Sequence, residues 1–244
     1  CSIISITSCI RSFPIKKTFS AKSKFYHFLS FVFVFNLTFG IKPLETGSII
    51  MPLFVLEKEF AFPPVHLAEP DGLLAVGGDL SVDRLLVAYS KGIFPWYEGK
   101  HILWWCPDPR FVLFPGEIKV SKSMKKLLNK NAFNFTTDKV FDQVIGNCKT
   151  IRRKGQAGTW ITHEVKKAYT VLHKLGFAHS AEVWKNGELV GGLYGVRIGK
   201  IFFGESMFSK QSNASKYAFI KFVEHLKNDG VELVDCQVYT EHLE

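Results

Sequence analysis

At 244 residues, with 47 % hydrophobic positions and a formal charge of +9, the chain has an ordinary globular composition and can bury one large core or two modest ones. Its five cysteines (Cys1, Cys9, Cys106, Cys148, Cys236) are scattered, odd in number and free of any CxxC pair, which argues against a disulfide framework or a zinc site and fits a reducing, cytoplasmic setting. Six basic groups against the lone acid Glu45 put +5 of the charge in residues 1–50, so +4 remains for 51–244, a mild excess that permits a nucleic-acid partner without demanding one.

Residues 1–50 begin with Cys, are rich in Ser, Phe, Ile and Lys, and precede a change of character at Met51. Their longest apolar run, Phe25 to Ile41, is broken by His27, Ser30, Asn36 and Thr38, and is too short and polar for a membrane span. A translated stretch upstream of the true start, an organellar transit peptide and a signal anchor are the readings in play, and the segment is set apart from the fold as an upstream extension or transit-like stretch.

Residues 51–110 are punctuated by Pro63-Pro64, Pro70, Gly77-Gly78, Pro95, Pro107 and Pro109, the mark of a small loop-rich N-terminal domain. Within it Ser81 can cap a helix with the apolar stripe Leu85, Leu86, Ala88 and Tyr89, closed by Gly92. After Pro115, "VSKSMKKLLNK" has helical period: Met124, Leu127 and Leu128 share one side while Lys122, Lys126 and Lys130 recur at four-residue steps on another, with Lys125 beside them. A solvated basic face and a phosphate-binding face both fit that spacing.

"THEVKKAYTVLHKLG" reads as a helix capped by Thr162, with Val165, Ala168, Tyr169, Leu172 and Leu175 inward and Gly176 as its stop. Next comes alternation typical of strands, turned at Asn186-Gly187 and again at Gly199, giving a three-stranded antiparallel meander. From Ala214 a helix returns, with Ser212 or Asn213 available as its cap, and "VELVDCQV" follows as a largely buried strand. Helix, meander, helix, strand is the order expected of an N-acyltransferase sheet and is shared by other α+β folds, so the fold class expected is α+β.

On the last strand Asp235 and Gln237 stand two apart and so share a face, and an acid in an apolar strand is costly unless paired. Glu205, at the end of the third meander strand, falls near them if the two strands are neighbours. Cys236 faces the other way with nothing to orient His242 as its base, and no histidine spacing suits a metal. The loop "SKQSNASK" lacks the glycine that lets backbone N–H groups approach a pyrophosphate, which counts against coenzyme A.

Eight stretches in series, "GLLAVGGDL" (72–80), "GIFPW" (92–96), "LWWCPDPR" (103–110), "TWIT" (159–162), "LVGGLYGV" (189–196), "FFGESMFS" (202–209), "NASK" (213–216) and "VDCQ" (234–237), together resemble the leucyl/phenylalanyl-tRNA:protein transferase family over nearly everything after Met51. The resemblance implies a small N-terminal domain (51–110) packed on a GNAT-like mixed-sheet domain (111–244). It implies transfer of Leu or Phe from aminoacyl-tRNA to the N-terminal Arg or Lys of a protein, marking it for degradation in bacteria, with no coenzyme or metal. An acyl-coenzyme A dependent N-acyltransferase is the alternative.

By the same matching, Asp235, Gln237 and Glu205 are the catalytic candidates: Gln237 accepts a hydrogen bond from the attacking amine, Asp235 polarises the Gln237 amide, and Glu205 lies near the cationic acceptor. Leu193, Phe202, Met207, Phe219, Phe222 and Val234 are implied as the donor side-chain pocket, and an apolar pocket with a methionine accepts either side chain. Trp96 and Trp160 match positions for the terminal adenosine, and Lys122, Lys125, Lys126 and Lys130 the basic helix for the acceptor stem. Members of the family continue past the "DCQ" strand with a segment bearing "SLGA", whereas this chain stops at Glu244. An incomplete sheet with an exposed edge and reduced stability is therefore expected. Nothing demands a partner subunit or a membrane.

Overall fold

The computed structural model describes residues 53–151 and 159–238, so the extension at 1–50 lies outside the described residues. Two sheets divide them. In the first, β1 (Phe54–Leu56) pairs parallel with β2 (Leu73–Gly77), β2 pairs antiparallel with β4 (Leu103–Trp105), and β4 with β3 (Phe94–Pro95). Helix α1 (Val82–Ser90) lies between β2 and β3 in sequence and buries Leu85, Ala88 and Tyr89. Ser81 occupies its N-cap, but the Ser81 side chain makes no capping bond.

The second sheet runs β5-β10-β9-β8-β7-β6, from β5 (Val112–Leu113), β6 (Asn134–Thr137), β7 (Ala178–Lys185), β8 (Glu188–Ile198), β9 (Ile201–Ser209) and β10 (Leu233–Asp235). Strands β6 to β9 are antiparallel neighbours, while β10 is parallel to β9. A parallel neighbour needs a crossover, and α5 (Ala214–Asn228) supplies it. Meander, crossover helix and parallel strand are the GNAT-type order the sequence suggested. The hairpin β7–β8 turns at Asn186 (φ 52°) and Gly187 (φ 79°), both left-handed as a two-residue turn with the twist of its strands requires.

Helix α2 (Lys122–Asn129) and α5 cover one face of this sheet, burying Met124, Tyr217, Phe222 and Leu226 against Leu193, Phe202 and Val234. The other face meets α3 (Phe141–Thr150), α4 (His163–Lys174) and α1, whose Tyr89, Val144, Ile145, Tyr169 and Leu172 join Tyr194, Phe203 and Phe208 in a cluster that continues into Trp104 and Leu74 of the first sheet. That continuity is hydrophobic burial shared by both sheets.

Three expectations need correction. The outer edge of β10 is not open: β5 pairs with it antiparallel, Val234 opposite Leu113 and Asp235 opposite Val112. Leu175, assigned to the buried stripe of α4, is 56 % exposed because it sits at the C-cap, past the last inward turn. Asn213 occupies the N-cap of α5 in the left-handed conformation (φ 66°) and its side chain makes no capping bond, a geometry that turns the chain sharply from strand to helix.

Candidate active site

The pairing of β8 with β9 skips one residue. Gly195 opposes Gly204 and Tyr194 opposes Ser206, which leaves Glu205 as the extra residue of a β-bulge. A bulge reverses the alternation of side chains beyond it: Phe202 and Met207, five positions apart, both pack with the α2/α5 side, and Phe203 and Phe208 both with the other. Strict alternation would have split each pair. The bulge also aims the Glu205 carboxylate at the end of β10.

There Glu205 Oε1 accepts hydrogen bonds from Tyr89 Oη (2.7 Å) and Gln237 Nε2 (3.0 Å), and Oε2 accepts from Tyr169 Oη (3.1 Å). The two tyrosine hydroxyls are also within hydrogen-bond reach of each other, and since each carries one proton, together they donate only two of these three contacts at a time. Burial pushes the Glu205 carboxyl up to about 7; the tyrosine and glutamine hydrogen bonds oppose that rise and the negative charge of Asp235 adds to it. Burial, with the charge of Glu205, holds both tyrosines well above the ordinary phenol range, so they remain donors.

Asp235 faces another partner. Arg110 Nε lies 2.9 and 3.0 Å from its two carboxylate oxygens and Nη2 lies 2.9 Å from Oδ2, while Oδ1 also accepts the backbone N–H of Gln237 at 2.8 Å. The expectation that Asp235 polarises the Gln237 amide is therefore corrected: Glu205 holds the amide nitrogen and Asp235 holds the glutamine's backbone. Strand β10 ends at Asp235, and Gln237 sits at φ 64°, so the two side chains do not follow simple strand alternation. Burial, then the charge of Asp235, pushes the Cys236 thiol up to about 12, away from the thiolate a nucleophile needs.

The six pocket candidates fall in one apolar cluster. Leu193, Phe202, Phe222 and Val234 are buried, and Met207 and Phe219 lie half-buried at its margin. Cross-strand pairing sets Leu193 opposite Met207 and Val234 opposite Phe202, and the Phe202 and Phe222 rings meet edge to face at 5.0 Å. Trp96 is 40 % exposed and leans on Trp105 with 5.7 Å between centroids, whereas Trp160 is buried, its ring 6.4 Å from that of Tyr169. Lys122, Lys125, Lys126 and Lys130 are all exposed along α2 and its C-cap.

Arg110, Tyr89 and Tyr169 join this cluster without having been singled out for it in the sequence. The tyrosines sit at inward positions of their helices, indistinguishable from core, and Arg110 is 125 positions from its partner Asp235. Among the described residues no group of His, Cys, Asp and Glu could hold a metal ion, and no helix is long and apolar enough to cross a membrane.

The family described as Leucyl/phenylalanyl-tRNA protein transferase matches residues 112–244, and the family's N-terminal domain matches 78–108. Proteins named leucyl/phenylalanyl-tRNA--protein transferase are similar to this chain: that of Syntrophus aciditrophicus is 60 % identical over 79 % of this chain and 81 % of its own length, and that of Flavobacterium johnsoniae 56 % identical over 79 % and 91 %. Among solved structures, a conserved protein of unknown function from Bacteroides thetaiotaomicron aligns over 55 % of this chain and 52 % of its own at 15 % identity and a TM-score of 0.40, too loose a likeness to add to the argument. The chain belongs to the leucyl/phenylalanyl-tRNA protein transferase family and is an aminoacyltransferase.

Proposed function

We propose that this enzyme moves Leu or Phe from aminoacyl-tRNA to the N-terminal Arg or Lys of an acceptor protein, in the cytoplasm and as a monomer, and that the new N-terminus is a degradation signal. The observation that carries the reading is the Glu205–Gln237 hydrogen bond at the end of β10. With Nε2 engaged by Glu205, the Gln237 carbonyl Oε1 is the end left to accept from an attacking amine. The amine nitrogen bonds to the ester carbonyl carbon, the ester C–O bond breaks, and the ribose oxygen leaves with the proton the amine gives up. A neutral amide is a poor base, so its role is to aim the amine. The Glu205 carboxylate supplies negative charge near the cationic side chain of the acceptor's N-terminal Arg or Lys, while its α-amine attacks unprotonated.

The donor side chain meets the apolar cluster at its half-buried members, Met207 and Phe219. A flexible thioether at that margin suits both an isobutyl and a benzyl group, which a difference of about 1–3 kcal/mol per methylene separates only weakly. Trp96 offers its exposed ring to the terminal adenine, where stacking contributes about 1–3 kcal/mol. The lysines of α2 meet acceptor-stem phosphates. Asp235, Gln237 and Glu205 form the reacting cluster.

Labelled Phe-tRNA or Leu-tRNA offered with Arg-headed and Met-headed peptides tests the reaction. Transfer to the Arg-headed peptide alone is expected. Equal transfer to both peptides, or labelling from an acyl-coenzyme A in place of the tRNA, would refute it.

A further inference from the structure

The ion pair at the end of β10 is a poor device for stability. The side chains of Arg110 and Asp235 are only 9 % and 6 % exposed, and Arg110 Nη1 is buried without a hydrogen-bond partner among the described residues. Removing two charges from water is repaid only when geometry is excellent and the remaining donors are satisfied, and here one donor is not. The pair has a different consequence, which lies in what it holds.

Asp235 Oδ1 takes Nε of Arg110 on one side and the backbone N–H of Gln237 on the other. Gln237 is the centre of a three-residue turn in which Val238 N–H donates to the Cys236 carbonyl at 2.8 Å, with φ 64° at Gln237 itself. Turns of this hand are rare and strained for any residue but glycine, and they persist only where their surroundings over-determine them. Here the surroundings come from the segment around Arg110. Cys236 N–H donates to the Phe111 carbonyl at 2.9 Å and Phe111 N–H to the Gln237 carbonyl at 3.3 Å. Arg110 is in turn anchored outside the second sheet, since Nη2 donates to the Gly92 carbonyl at 2.8 Å and the guanidinium lies 4.9 Å from the Phe94 ring centroid.

Building on the transfer reaction proposed above, we infer that Arg110 is a positioning residue for it: gripping Asp235, it pins the strained turn that delivers the Gln237 amide to Glu205. Arg110 meets no substrate in this role. Asp235 is the middle link, and the chain of contacts runs from Gly92 and Phe94 through Arg110 and Asp235 to Gln237. The planar fork is what allows one side chain to bind two carboxylate oxygens and a carbonyl at once, and lysine cannot reproduce it.

The test uses the whole chain with Arg110→Met, Arg110→Lys, Asp235→Asn and the Arg110→Met/Asp235→Asn double variant. Arg110→Met is expected to lower kcat about 100-fold while KM for Phe-tRNA stays within about twofold, the pattern of a group felt only in the transition state. Arg110→Lys keeps the charge, is expected to remain about 10-fold below wild type, and carries the test should the methionine variant not fold. The double variant should be no slower than the slower single, because both act through one link. An NMR reading independent of turnover follows the Gln237 side-chain amide protons, displaced in wild type by the Glu205 bond and expected to revert to free-amide positions in Arg110→Met.

Unchanged kcat, losses that multiply in the double variant, or a raised KM at constant kcat would overturn the inference. If wild-type protein transfers nothing from tRNA, the reaction reading fails by itself. The NMR arm then decides the link alone, a shifted amide supporting it and an unmoved one overturning it.

Discussion

Glu205 gathers the largest electrostatic consequences at the residue scale, because its carboxyl is raised from an ordinary 4.5 to about 7, chiefly by burial. A carboxyl that binds its proton more tightly folded than unfolded contributes stability that is full below about pH 4.5 and drains away as pH climbs to about 7. In the proposed reaction transfer has the opposite sign, since the acceptor's cation and the Gln237 amide would both be served by the carboxylate. The profile of kcat/KM should therefore fall as one proton is taken up below about pH 7, with an otherwise more stable protein on the acid side. Glu205→Gln keeps the shape and removes the charge. It should melt several degrees higher than wild type at pH 8 and transfer about 100-fold more slowly, without the acid limb; equal melting at pH 8 would contradict the burial argument. Sequence reading singled out Asp235 because an acid in an apolar strand is conspicuous, with Gln237 on its face and Glu205 within reach, and the family resemblance supplied their catalytic roles. It assigned the wrong partner to the amide because the contacts that decide this, to residues 32 to 125 positions away, leave no local mark.

Among elements, the β8–β9 ladder is where glycine and bulge act together. A Cβ on Gly195 would stand 2.1 Å from the Phe203 carbonyl oxygen and 2.4 Å from Cζ of Phe202. Neither neighbour can retreat, as one is ladder backbone and the other a buried pocket ring. Gly195→Ala should therefore cost about 3 kcal/mol in denaturant unfolding, the upper range for overpacking. A change below about 1 kcal/mol would mean that the ladder yields. Helix α2 makes a contrasting case. Its first turn holds Lys122 and no acid, against the helix dipole, and all four lysines are exposed. Replacing Lys122 by Gln should leave stability equal or up to about 1 kcal/mol higher. Changing all four should flatten the slope of log tRNA affinity against log salt by about 3 to 4. The period of α2, α4 and α5 and the meander turns were legible in the sequence, because caps, glycines and apolar spacing are local. Helix α3 and the pairing of β5 with β10 were not: Phe141–Thr150 has a mixed pattern, and two residues of strand become a strand only when a distant edge accepts them.

For the whole molecule, the two sheets share one core and meet at the Glu205–Asp235–Gln237 cluster proposed to react. Tyr89 of the first unit packs its ring 5.1 Å from Phe203 of the second and bonds to Glu205, while Arg110 ties Gly92 to Asp235. A site assembled from both units forms only when they are docked, which makes their docking part of the active site's own stability. Heat or denaturant should then unfold them in one transition. Trp96, Trp104 and Trp105 all report on the first sheet, so tryptophan fluorescence weights that unit, whereas far-ultraviolet dichroism weights the helices of the second. Their midpoints should coincide. Asp235→Ala leaves the Arg110 guanidinium buried and unpaired, a loss of about 3–5 kcal/mol that should move both midpoints down together. A first-sheet signal that melts ahead of the dichroism, in either protein, would show the units to be independently stable and the seam between them to be no part of what holds Gln237 against Glu205.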